Sequence, residues 1–232
     1  MPASDPVVER LPTLLREKLG DAYPTSGELS IAGGPPRFRR RRRADRYQPR
    51  VQLTGPQAAI FVGDSMAALR LYGPYPGWDA LRARINSLLD VLQESRLAIA
   101  VERISLRFVN VLREHPERQL DALNVRIELA GEAAPERGFH LRAELNDEVY
   151  ERVIEIQPGA TGPAHEVDRR ETHGLMLELD CRRRFATDDF WPQRSTLIED
   201  LHFEMRALFF RLLTPESIAQ LGPIYRAEPE HG

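Results

Sequence analysis

VERISLRFVNVL, residues 101–112, changes character at every second residue. Ile104, Leu106 and Phe108 alternate with Arg103, Ser105 and Arg107. A period of two puts one apolar and one polar face along an extended strand. The same rhythm returns three times downstream. Leu123, Val125, Ile127 and Leu129 alternate with Asn124, Arg126 and Glu128; Phe139, Leu141, Ala143 and Leu145 with His140, Arg142 and Glu144; Leu175, Leu177, Leu179 and Cys181 with Met176, Glu178 and Asp180. VYERVIEI (149–156) is less regular but lies between turn-forming Asn146-Asp147 and Pro158-Gly159. Strands with one apolar face are the mark of an antiparallel sheet.

On either side of this region the period lengthens. In residues 75–99, Trp78, Leu81, Ile85, Leu88, Leu89 and Leu92 form an apolar stripe opposite Arg82, Arg84, Asp90 and Glu94. Near the C-terminus, Ile198, Leu201, Met205, Leu208, Phe209 and Leu212 share a face of a helix over about 195–213. Ser195 is its expected cap, and Pro215 and Gly222-Pro223 are expected to close it. A short amphipathic helix is predicted at 7–20, weakened by Pro12, followed by a loop in TSGELSIAGGPP. Strands are predicted in the arginine-rich segment 37–46, in RVQLTG (50–55), and in AAIFVGD and MAALRLYG around a Gly63-Asp64 turn. The expected fold is α+β: a mostly antiparallel sheet with a middle helix and a long C-terminal helix packed on it. We expect a single domain over 1–232: an N-terminal helix and loop (1–34), a core (35–224) and a tail (225–232).

The chain has 32 basic and 35 acidic residues, a formal net charge of -3, and 42% hydrophobic residues. That balance is ordinary for a globular protein and argues against a surface tuned throughout for nucleic acid. One cysteine, Cys181, excludes an internal disulfide and fits a reducing cytoplasm. No apolar signal region is read in residues 1–20, and no apolar run suits a membrane span.

Motifs for chemistry are sparse. HEVDRRETH (165–173) gathers histidines and carboxylates, but without zinc spacing and with Arg169 and Arg170 among them. Glu199 and His202 form one Glu-x-x-His, where a di-iron site needs two plus further glutamates. Cys181 falls on the apolar side of its strand, as a structural cysteine would. Phosphate loops, nucleophile elbows and zinc signatures are absent from the sequence. No cofactor and no metal are expected.

Three segments together resemble a known group. YPGW opens the middle helix, RISLRFVNVL follows it, and LIEDLHFEMRALFFRLLTPESI closes the chain. In that order they resemble a sporadically distributed family of uncharacterised bacterial proteins, over about Pro35 to Ile224. Phe108 stands where that family usually has tyrosine, and its usual first strand has no clear counterpart ahead of VVERLP. The family's patchy distribution implies mobile genetic cargo, such as toxin–antitoxin or phage-defence genes. It carries no activity over to this chain.

Two groups are candidate binding residues. The first is the run Arg39, Arg40, Arg41, Arg42 and Arg43 within Arg37–Arg43. It fits a charged strand edge that blocks unwanted pairing, a grip on an acidic protein, or a nucleic-acid contact. The second is Arg103, Arg107 and Asn110, read as the wet face of one strand. They could hold an anion, or pair with Glu128 and Glu144 on neighbouring strands. The leading expectation is a non-enzymatic cytoplasmic protein that holds a protein partner. The alternatives are a nucleic-acid accessory using Arg37–Arg43, and a small-ligand or enzymatic pocket between sheet and helix. One chain leaves the oligomeric state open.

Overall fold

The computed structural model describes residues 7–29, 47–97, 100–112, 119–133, 138–162, 172–185 and 190–222. The chain divides into two compact units, one up to Ala100 and one from Val101 onward. Both are α+β, with antiparallel strands. The strands described fall into two four-stranded sheets and a two-stranded one.

The first unit holds α1 (Val7–Leu19), β1 (Thr25–Glu28), β2 (Pro49–Thr54), β3 (Ala58–Gly63), β4 (Met66–Leu71) and α2 (Trp78–Ser95). Its sheet runs β1-β2-β3-β4. Leu11 and Leu15 of α1 are fully buried, as are Leu53, Ile60 and Val62 of the sheet, and α1 packs on β2, β3 and α2. The helix continues through Pro12, itself buried, so packing outweighs the lost backbone bond. β3 and β4 meet at a tight turn, where a Cβ on Gly63 would stand 2.3 Å from the Gln48 carbonyl oxygen.

TSGE is a strand, contrary to the loop expected there. Thr25 lies opposite Thr54 and Glu28 opposite Val51. All four residues are exposed, so backbone pairing on β2 makes this strand without an apolar pattern.

The second unit holds β5 (Arg103–Leu112), a 3₁₀ turn (Gln119–Ala122), β6 (Glu128–Leu129), β7 (Glu132–Ala133), β8 (Leu141–Asn146), β9 (Tyr150–Gly162), β10 (Thr172–Arg184), α3 (Phe190–Leu212) and α4 (Pro215–Leu221). The main sheet has the order β5-β10-β9-β8, every pair antiparallel. α3 lies on β10 and β5. Leu175, Leu177, Leu179 and Cys181 of β10 are wholly buried against Ile154 and Ile156 of β9 and Leu201, Met205 and Leu208 of α3.

Three expectations fail in this unit. No continuous strand spans Leu123–Leu129. Ala122 and Leu123 are buried instead, and their backbone is tied to the end of α3: Asn124 N–H donates to the Leu212 carbonyl at 2.7 Å, and Thr214 N–H to that of Ala122 at 3.1 Å. Those bonds satisfy groups that a helix end leaves open. α3 begins at Phe190, so Ser195 is inside the helix and caps nothing. Phe190 is buried against the rings of Phe185 and Trp191, and Pro192 sits in the first turn, where its missing N–H costs little. Pro215 opens a second helix rather than ending the chain's helical part. The Thr214 hydroxyl accepts from Ser217 N–H at 3.3 Å, and Gly222 closes α4 in a left-handed conformation.

Candidate functional site

The β8–β9 hairpin turns through Asp147–Tyr150, closed by Asp147 N–H donating to the Tyr150 carbonyl at 3.0 Å. Asp147 Oδ1 accepts from the backbone N–H groups of Val149 and Tyr150, each at 2.8 Å. Its other oxygen lies 2.7 Å from Arg152 Nη1. These donors, the two backbone groups first and then Arg152, hold the Asp147 carboxyl at about 2, well below the ordinary value of 3.8.

Arg152 occupies a position in β9 where alternation calls for an apolar side chain, between Tyr150 and Ile154. Its guanidinium is nearly buried at 12% exposure. It donates to Glu204 of α3, Nη2 to Oε2 at 2.8 Å, and lies 5.3 Å from the centre of the Tyr150 ring. Hairpin, sheet and helix are therefore joined through one cation. Above it opens a cleft of about 580 Å³ between β8 and α3, lined further by Glu144, Leu145, Asn146, Ala207 and Arg211.

One large apolar side chain in the wall of this cleft stands exposed: Leu145 on β8, at 51%. Val149 in the hairpin turn and Phe203 on α3 are exposed too, but Phe203 points away from the buried stripe of its helix, toward solvent. Singly exposed hydrophobics are commonplace; Leu145 differs in standing in a concavity.

The candidate residues lie elsewhere. Arg39 to Arg43 are outside the described residues. Arg103 and Arg107 project from β5 on the face away from α3. Asn110 is on the opposite face, because it differs from them by an odd number of residues. It lies across from Leu177 and donates to that residue's carbonyl at 3.5 Å. The carboxylates that meet this strand are also different. Arg107 donates to Glu178 at 2.6 Å, and Ser105 to Asp180 at 2.5 Å, both acids belonging to β10. Arg182 holds the second oxygen of Asp180. Glu178 and Asp180 are each only 8% exposed, so these cations answer buried negative charge. Glu128 pairs with Arg126, and Glu144 with Arg142. The carboxylates that meet β5 are thus Glu178 and Asp180 of β10, not the expected Glu128 and Glu144.

His202 is half-buried on α3, and burial pushes its imidazole below the ordinary value. Cys181 is buried, and desolvation pushes its thiol up to about 11. Among the described residues no group of three or more His, Cys, Asp or Glu could hold a metal ion, and no helix is long and apolar enough to cross a membrane. Most of HEVDRRETH lies outside the described residues.

The sequence reading missed Asp147, Arg152 and Glu204. Arg152 left one signal: a charged residue in the apolar phase of Tyr150, Arg152, Ile154 and Ile156. No protein-family model, curated protein or solved structure matches the chain.

Proposed function

We propose that this chain is a binding protein that holds a protein partner in the cleft between β8 and α3. The observation that carries the reading is an open cleft with the exposed apolar Leu145 in its wall and a floor fixed by Arg152. An exposed apolar side chain in a preformed concavity is a place where a partner's large side chain can supply binding energy. Both sides of Arg152 already meet carboxylates, Asp147 and Glu204. Its charge is therefore answered within the chain, which favours an apolar partner surface over a small anion.

The bacterial family resemblance belongs to the same proposal, and with it a cytoplasmic setting beside toxin or defence genes. The test is co-expression with the products of adjacent genes, followed by co-purification with wild type, Ala207→Arg and Leu145→Asp, both at positions that line the cleft. A gene product retained by wild type and lost by both variants supports the cleft. Equal retention by all three removes the cleft as the site, and no retained product at all counts against the function.

A further inference from the structure

β8 is an edge strand. It pairs with β9 on one side, and among the described residues no strand covers the other. The bond from Asp147 N–H to the Tyr150 carbonyl fixes which backbone groups are committed. Antiparallel pairing alternates, so Leu141, Ala143 and Leu145 bond to β9, while the N–H and C=O of Arg142, Glu144 and Asn146 aim outward. Open edges of this kind are templates for another strand.

We infer that β8 is a self-complementary seam, and that two copies of this chain join edge to edge there in one antiparallel register, about a two-fold axis at Ala143. The charges select the register. With Ala143 opposite its own copy, Arg142 faces Glu144 of the second copy and Glu144 faces its Arg142. Both belong to the outward-bonding set, so each pair also exchanges backbone hydrogen bonds. Sliding by one pair either way sets Arg142 against Arg142 or Glu144 against Glu144, and like charges directly opposite are unfavourable. Ala143, whose backbone is turned toward β9, falls on the axis at a closely spaced, non-hydrogen-bonded position. On the α3 side, Leu141 falls opposite Leu145, which gives a neighbour to a side chain now 51% exposed.

The other edge shows the contrast. Phe185 N–H donates to the Glu102 carbonyl, so in β5 the outward groups belong to Arg103, Ser105, Arg107 and Val109. Residues 103–112 contain no acidic side chain, so no register sets a cation against a carboxylate there. β5 carries the charge expected of a protected edge; β8 carries complementary charge.

A two-fold axis perpendicular to the sheet keeps both copies of α3 on one face. The joined edge then forms an eight-stranded sheet with two clefts flanking the seam. The seam shares Leu145 and Glu144 with the proposed partner site, but it can fail while that site stands, because sedimentation reads the seam and co-purification reads the site. A seam of one short strand buries little area, so the association is concentration-dependent.

The experiment is sedimentation equilibrium of the full chain across a concentration series, for wild type, Arg142→Glu, Glu144→Arg and the double exchange. The expected result is a dimer for wild type, monomers for both single variants, and a dimer again for the double exchange, where the pairs are restored with reversed sign. Circular dichroism and melting curves check that each variant is folded. Glu144→Arg leaves the Arg142–Glu155 contact in place, so it tests the seam even if Arg142→Glu disturbs β8. A monomeric wild type, single variants that remain dimeric, or a folded double exchange that stays monomeric overturns the inference.

Discussion

Arg152 and Glu204 meet at 2.8 Å across the boundary between β9 and α3, and the guanidinium in that pair is 12% exposed. Removing Glu204 takes one of two carboxylates from a near-buried guanidinium, and Asp147 stays at 2.7 Å. Glu204→Ala is expected to cost about 1–2 kcal/mol, below the 3–5 kcal/mol of a fully buried pair, because Asp147 still answers the charge and Glu204 is itself 26% exposed. Urea denaturation measures the change. The double variant Arg152→Met with Glu204→Leu is expected to recover part of it, since the near-buried cation is gone and the carboxylate left behind, Asp147, is half exposed and keeps its two backbone donors. A double variant less stable than Glu204→Ala contradicts this account.

Asp147 gives a pH dependence with a definite sign. Its folded carboxyl sits at about 2 against an ordinary 3.8, because backbone donors and Arg152 favour the charged form. Its stabilisation is therefore present above about pH 4 and is lost as pH falls through about 2. Asp147→Ala is expected to melt below wild type at pH 6, with the gap narrowing steadily from pH 4 toward pH 2. Thermal melts across that range decide it; a gap that does not depend on pH assigns the effect to the turn alone.

Long strands and long helices were legible because their side chains repeat at one period. β5, β8 and β10 follow their alternation closely, and the buried stripe of α3 follows the predicted face. The exceptions have physical causes. β1 is TSGE, a strand made by pairing with β2 rather than by apolar residues. Leu123 looked like a strand residue because it is apolar, but it is buried where the chain ties down the end of α3. The site was harder to see than the fold. Arg107 meets Glu178 only because β10 lies beside β5, a neighbourhood between residues 71 positions apart that one-dimensional periodicity does not carry. Arg152 contradicts its strand's own pattern, and only Asp147 and Glu204, brought there by the hairpin and the helix, make that position tolerable.

Cys181 is expected to be inert while the protein is folded. Its side chain is wholly buried, and its thiol is raised to about 11 by desolvation, so the reactive thiolate is scarce at neutral pH. Alkylation by iodoacetamide at pH 8 should stay negligible without denaturant and go to one equivalent in guanidinium. Labelling of the native protein at the rate of a free thiol would show that β10 opens readily.

Ser105 and Arg107 separate structural from binding roles on the face of the sheet away from α3. Arg107 is 60% exposed, which screens its pair, but Glu178 at 11% is left behind when it is removed. Arg107→Ala is expected to cost about 1–2 kcal/mol. Ser105 donates to a buried carboxylate, yet Arg182 still serves Asp180 when the hydroxyl is gone, so Ser105→Ala should cost about 1 kcal/mol. Replacing Asp180 is different. Asp180→Ala strips the partner from Arg182 and Ser105 together and opens space at a central strand position, and a loss of about 2–4 kcal/mol is expected. Chemical denaturation of the three variants should therefore rank Asp180→Ala below the other two. If co-purification of a partner is lost in Arg107→Ala while the variant stays folded, the arginine serves the partner directly and the contact surface extends to this face.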